Sequence, residues 1–243
     1  GPSIGESPKT RGLWYAEAVW VKDAPGVAKV LVDMMTDGAT EMDIHSIDVA
    51  RYYPMQKTPE YIRGRCYESA FKIYNPAVHD REPYTQGRGL RRSPFWQREQ
   101  ELGGYFMELA GWERAHGYAA NEHLLEQYAD QVPVRENEWD NRHFWRVSNA
   151  EHLAMSDNAG MINLSHFAVY DISGADAQIL MEYACVAKVG GNTAIGKGVY
   201  THVLDHAGGI RADFTVIRLA ADRFRLVDGA DAGNRDHLWL SRM

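Results

Sequence analysis

The chain has 243 residues, 45% of them hydrophobic, and a formal net charge of −7, which is enough for one large domain or two small ones around a real core. Acids and bases are interspersed without a long basic run, so the composition gives no support for a nucleic-acid partner, and charges break every apolar stretch before membrane-spanning length, so no membrane partner is expected either. The opening Gly-Pro-Ser-Ile-Gly-Glu has neither the cationic start nor the apolar core of a signal peptide, and the setting is read as cytosolic, or the matrix of an organelle.

In chain order, a short strand is predicted over Leu13 to Val21, followed by a helix from Asp23-Ala-Pro25 to Asp37-Gly38. Asp23 is placed to cap the first free N–H groups, Pro25 stands where a missing donor costs little, and Gly38 suits a left-handed exit. Val27, Val30, Leu31, Met34 and Met35 recur at helical spacing as its buried stripe. The segment 47–118 is rich in turn residues and aromatics, with prolines at Pro54, Pro59, Pro76 and Pro83, and is read as a connector. Within it a helix is predicted from Ser93-Pro94 to Gly111, weakened by Gly103 and Gly104, with Arg91 and Arg92 as a solvated pair or an interface contact.

From 119 onward helices and strands alternate. A helix near Asn141 to Ser156 (Phe144, Val147, Glu151, Met155) precedes a strand from Met161 to Ile172, then a helix from Ala175 to Cys185 and a three-strand meander from Val199 to Val227. This order indicates an α+β fold with an antiparallel component. Cys66 and Cys185 are too few and too far apart for a disulfide framework or a thiolate metal site, and are read as buried free thiols.

Several motifs carry candidate chemistry. Gly191 to Gly198 resembles a phosphate loop, but Gly198 stands where a hydroxyl is needed and the local order is helix before strand, so a turn leading into the hairpin is the better reading. His202 and His206 would share a face on a helix, but they fall on a strand and its turn, and are read as isolated surface histidines. His166 is read as a structural histidine on the core face of its strand, since no nucleophile is paired with it. Alternation over Ile210 to Leu219 places Arg211, Asp213, Thr215 and Ile217 on one face and Ala212, Phe214, Val216 and Arg218 on the other. Asp213, a single acid inside a strand, is half of an ion pair with Arg211 or Arg218, closes a hairpin turn, or is a functional carboxylate.

The blocks "GGIRADFTVIRL" with "DRFRLV", and Asn163-Leu-Ser-His-Phe167 with "DISGADAQILMEY", resemble the folate-dependent aminomethyltransferases of the glycine-cleavage T-protein fold. Upstream, "GLWYAEAVWVKDAPGVAKVLVDMMTDG" and "RRSPFWQREQELGGYFMELAGWERAHGY" resemble the region preceding that fold in dimethylglycine and sarcosine dehydrogenases, which are flavoenzymes. The resemblance implies a tail of an FAD-binding domain over 1–46, a small connector domain over 47–118 and the N-terminal part of an aminomethyltransferase-like, folate-binding domain over 119–243. Both chain ends look cut, with a flavin domain implied before and the second half of the transferase fold after.

The resemblance further implies FAD and tetrahydrofolate as cofactors, a small N-methylated amine as substrate, and the rest of the parent polypeptide, or a separate flavin-binding subunit, as partner. It makes Asp213 catalytic, puts Phe167, Tyr200 and Val227 on the folate wall, and sets Trp20, Val21 and Lys22 along the flavin edge. Two positions depart from the family pattern: Gly229 stands where an asparagine is usual and Asn163 where an acid is common. A flavin-free methyltransferase or demethylase of the same fold, and a non-catalytic assembly subunit completing a partner's site, stand as alternatives.

Overall fold

The computed structural model describes residues 2–75, 83–134 and 145–243. Pro76 and the start of the helix predicted from Asn141, including Phe144, lie outside the described residues. Contacts group the chain into two compact units, residues 1–53 with 167–243, and residues 54–166. Mixed helices and antiparallel strands make up both.

In the first unit, β1 (Ser3–Glu6) pairs antiparallel with β2 (Trp14–Glu17). β2 is shorter than predicted because Ala18 takes a φ of 54° and residues 21–23 tighten into a 3-10 turn. α1 (Ala24–Asp37) ends as expected on Gly38, whose φ of 76° is the left-handed exit that favours glycine. Asp23 makes no capping bond, because its carboxylate takes the Lys22 ammonium at 2.7 Å instead. Ile4, Val30 and Ile44 form a small core flanked by Val27, Leu31, Met34 and Ile47, whereas Met35 is half exposed and leaves the predicted stripe.

The same unit contains a four-stranded antiparallel sheet of order β5-β8-β7-β6, with β5 at Ala168–Ser173, β6 at Gly198–Leu204, β7 at Ile210–Ala220 and β8 at Arg223–Asp228. The meander is where the sequence places it, and residues 191–197 are turns leading into β6. β5 begins later than predicted, and His166 stands in the turn preceding it rather than on a strand. One sheet face is covered by α6 (Ala177–Ala184) and, later in the chain, α7 (Gly233–Arg242). Phe214, Val216, Phe224 and Leu226 are buried there with Met181 and Leu240, each large side chain contributing roughly 1.5–3 kcal/mol of burial. Cys185 is buried beside them, which pushes its thiol up to about 11, while Cys66 is exposed rather than buried.

The second unit differs more from the sequence reading. A 16-residue helix, α2 (Pro59–Tyr74), occupies the segment read as connector; Thr58 accepts from the Tyr61 N–H at 3.3 Å and Pro59 opens the first turn. The helix predicted to Gly111 stops early, as α3 (Trp96–Glu101), and a hairpin follows: β3 (Gly104–Leu109) with β4 (Trp112–Tyr118). Gly103, at a φ of 70° and with no space for a Cβ against Ala119, breaks the helix. Ala110 and Gly111, both at positive φ, form the two-residue turn that matches strand twist. Arg91 and Arg92 lie over the rings of Trp112 and Trp96 at 4.1 and 4.0 Å, so they are stacked rather than merely solvated. Beyond these, α4 (Leu124–Gln127) and α5 (Trp145–Asp157) pack around Tyr128, Val132 and Ala150.

A buried acid lies under the sheet of the first unit. Asp228 is 5% exposed and accepts a hydrogen bond from the Tyr170 hydroxyl. Burial is the main influence on its carboxyl, with a further push from Asp236, and raises it to about 7 despite the bonds from Tyr170 and the Gly229 N–H. An acid that the fold holds protonated stabilises fully below its unfolded pKa, and loses that contribution as pH rises through the folded value. Asp228→Asn is therefore expected to raise the free energy of unfolding by on the order of a few kcal/mol at about pH 8.5 and by less at about pH 5. Equal effects in denaturant titrations at the two pH values would show that Asp228 is not held protonated.

Candidate functional site

The β6–β7 hairpin is closed by residues 205–209, where the Asp205 carboxylate accepts from the N–H groups of Ala207 and Gly209 at 2.9 and 2.8 Å and Gly208 takes a φ of 87°. From this turn the strands pair as Leu204 with Ile210, then as Val203 with Ala212. Arg211 is thus the extra residue of a β-bulge, which bends the strand and re-aims a side chain. Its guanidinium donates to Asp48 at 3.2 Å and lies 4.9 Å from the Trp239 ring, on the side of α7. Arg211 therefore does not share the open face with Asp213, as strict alternation predicts.

Beyond the bulge the alternation holds. Asp213 and Thr215 are exposed while Ala212, Phe214 and Val216 are buried. The Tyr200 hydroxyl donates to Asp213 Oδ2 at 2.9 Å, and this bond holds the phenol above its ordinary range. Neither arginine considered as an ion-pair partner is engaged with Asp213. Arg211 is held by Asp48, and Arg218 donates to the carbonyls of Gly190, Gly191 and Thr193 at 2.7–3.3 Å.

Register sets the rest of the face. Val169, Val227, Thr215 and Tyr200 are successive cross-strand partners through all four strands, giving an open row of aliphatic and aromatic surface. Phe167 stands just before β5 and is 37% exposed; Tyr200 and Val169 are more exposed still. The structure thus brings Asp213, Tyr200 and Val227 onto one sheet face with Phe167 beside its first strand. A flat heteroaromatic fits such a row, with a carboxylate at its edge for an N–H group.

Trp20, Val21 and Lys22 are elsewhere in this unit, at the start of α1. Val21 is 93% exposed, and the Lys22 ammonium is 4.9 Å from the Trp20 ring centroid. At this helix start the Ala24 N–H donates to the Val21 carbonyl and Pro25 carries none, so Trp20 and Val21 offer exposed apolar surface without a free pair of N–H groups, and no complete binding site. A cavity of about 620 Å³ in the same unit is lined by Trp14, His45, Asp48, Arg211, Arg235 and Trp239 among others, and by none of the residues assigned to folate or flavin from the sequence.

The family description "GCVT N-terminal domain" matches residues 95–243, more than half of the chain. The chain belongs to the GCVT N-terminal domain family. Residues 37–93 match the "FAD dependent oxidoreductase central domain". The chain is 29% identical to the 4-methylaminobutanoate oxidase (formaldehyde-forming) of Paenarthrobacter nicotinovorans, over 99% of this chain and 28% of that protein. It is 27% identical to mitochondrial sarcosine dehydrogenase of Homo sapiens, over 90% and 26%, and 25% identical to mitochondrial dimethylglycine dehydrogenase of Rattus norvegicus, over 98% and 27%. The chain spans about a quarter of the length of these curated relatives. It therefore pairs a match to an oxidoreductase central domain with a GCVT N-terminal domain, the order of segments that the sequence resemblance implies.

Within this GCVT domain, the departure at Asn163 has a local reason. The Asn163 amide donates to Ser93 Oγ at 2.8 Å and to Glu99 Oε1 at 3.0 Å. An acid at 163 would set its carboxylate against that of the buried Glu99. His202, read from the sequence as an isolated surface histidine, is instead half-buried, directly opposite Asp213 in the register and 5.4 Å from Tyr200 between ring centroids. Only the bulge reveals that pairing.

Replacing Asp213 by Asn removes the charge that holds the Tyr200 phenol protonated. With tyrosines carrying carbon-13 at Cζ and the Tyr200 signal assigned by Tyr200→Phe, NMR titration is expected to show Tyr200 ionising at lower pH in Asp213→Asn than in wild type. Identical titrations would show that the bond is not held in solution.

Proposed function

We propose that this chain is part of a flavin-dependent, tetrahydrofolate-linked demethylating amine dehydrogenase or oxidase of the dimethylglycine or sarcosine type. The observation that carries the reading is Asp213: a carboxylate on a rigid strand, oriented by Tyr200, with both candidate arginine partners engaged elsewhere. Carboxylates that are not needed for structure and are held on an apolar open face suit proton transfer.

FAD, contacted along one edge by Trp20, Val21 and Lys22, supplies the capacity to accept a hydride from the N-methyl group of a small amine. The residues of this chain act on the transfer of the oxidised carbon. Phe167, Val227 and the ring of Tyr200 bind the pterin and benzoyl surfaces of tetrahydrofolate, and Asp213 accepts the proton that the folate nitrogen must lose on taking up the one-carbon unit. Tyr200 keeps Asp213 Oδ2 occupied and so directs the other oxygen toward the folate nitrogen. Enclosure beside the rest of the parent polypeptide or a flavin-binding subunit keeps water from the iminium, which would otherwise release formaldehyde.

An anaerobic visible spectrum of the full-length protein during addition of dimethylglycine and then sarcosine tests the oxidative half. Bleaching of a flavin band is expected. A flavin band bleached by neither amine would move the substrate to another N-methylated amine, and absence of any flavin band would favour the flavin-free transferase or the assembly subunit. For the transfer half, Asp213→Asn is expected to cut methylene-tetrahydrofolate formation about 10²–10⁴-fold while flavin reduction keeps its rate, with the lost carbon appearing as formaldehyde. An unchanged yield of methylene-tetrahydrofolate would remove Asp213 from the reaction.

A further inference from the structure

Capture of a methylene group by tetrahydrofolate leaves a proton to dispose of. The folate nitrogen's lone pair attacks the iminium carbon, the C=N π electrons pass to the amine nitrogen, and the attacking nitrogen sheds its proton. The amine then departs carrying one proton, and ring closure by the second folate nitrogen releases another. With the amine leaving uncharged, one proton per carbon captured remains on Asp213 until it passes to water or to the departed amine, so Asp213 must be emptied before the next turnover. Resting on the transfer chemistry above, the question is where that proton goes.

Tyr200 is a poor outlet. It donates to Asp213, and that carboxylate raises the phenol above its ordinary range. Neither neighbouring arginine relieves the acid, since Arg211 is turned to the other side of the sheet by the bulge and Arg218 is held by backbone carbonyls. His202 is better placed. It is the direct cross-strand partner of Asp213, and such partners hold their Cβ atoms about 4.5–5.5 Å apart on one face. Its ring meets Tyr200 edge-on at 5.4 Å, so one side of the imidazole is packed and the ring is half-buried. Its backbone is pinned on the strand's outer edge, where the His202 carbonyl accepts from the Val186 N–H at 3.0 Å and from the Thr201 hydroxyl at 3.2 Å.

We propose that His202 relays the proton from Asp213 to solvent: one ring nitrogen takes the proton from the carboxyl through one water, and the opposite nitrogen releases one to bulk water. An imidazole suits this because its two nitrogens accept and donate in turn. His202 acts through Asp213 and need not touch the folate, which separates its role from that of the acid.

The test uses the full-length, flavin-bound enzyme and follows methylene-tetrahydrofolate formation and anaerobic flavin reduction separately. His202→Ala and His202→Gln are expected to slow folate capture on the order of tenfold or more, to leave flavin reduction by the amine at its wild-type rate, and to leave the tetrahydrofolate dissociation constant unchanged. Added imidazole is expected to restore the rate of His202→Ala, and substituted imidazoles to do so in order of their basicity. Full-rate capture in both variants, or slow capture that no imidazole restores, overturns the relay. Capture unaffected by Asp213→Asn would overturn the transfer reading beneath it, whereas loss in Asp213→Asn with full rate in both His202 variants would overturn the relay alone.

Discussion

The buried pair between Arg211 and Asp48 governs the geometry of the first unit. Asp48 is 4% exposed, accepts from the Ala50 N–H at 2.8 Å and binds the Arg211 guanidinium at 3.2 Å. A carboxylate this deep is tolerable only with a charged partner and hydrogen bonds, and removing one member of such a pair leaves the other uncompensated at a cost of about 3–5 kcal/mol. The pair ties the loop after α1 to the start of β7, and Arg211 reaches it because it is the bulged residue. The same one-residue insertion shifts the hairpin from the pairing of Leu204 with Ile210 to that of His202 with Asp213. An interaction on the covered side of the sheet thereby fixes which side chains meet on the open side.

Much of this is legible from the chain itself. The 210–219 alternation locates the buried Phe214 and Val216 and leaves Asp213 outside, because a period of two with one apolar face has a single satisfactory orientation against a core. Gly38 and the 177–184 helix are equally readable. The failures have physical causes. Gly103 reads as a weak point in a helix, yet its left-handed backbone and the contact a Cβ would make with Ala119 end the helix there and let Tyr105 to Leu109 form a strand. α2 is hidden because its exposed Tyr67, Phe71 and Tyr74 blur the apolar stripe that marks an amphipathic helix.

The candidate site shows the same division. That Asp213 lies on a strand face is readable, and the resemblance supplies Phe167, Tyr200 and Val227 as its neighbours. Choosing between an ion pair and a functional acid requires knowing where two arginines go, and those answers depend on contacts 163 and 28 residues distant in sequence, at Asp48 and Gly190. The pairing of His202 escapes notice because a bulge-free hairpin continuing the Leu204–Ile210 register would place it opposite the inward Ala212 and not opposite the outward Asp213. A bulge leaves little trace in a single sequence, since the inserted residue is polar like the outward residues around it.

Two acids on adjoining strands of one sheet illustrate how environment divides labour. Asp228, beneath the sheet with Tyr170 and Asp236, is raised to about 7 chiefly by burial. Asp213, on the open face, meets water and the Tyr200 hydroxyl. Ionisation of Asp228 as pH rises through about 7 therefore lowers stability beneath the sheet, whatever role the open-face Asp213 has. Asp228→Asn separates the two, because it silences the buried titration and leaves the open face as it is. Any pH dependence of the proposed folate capture that survives in that variant belongs to the open face, and any that disappears belongs to the fold.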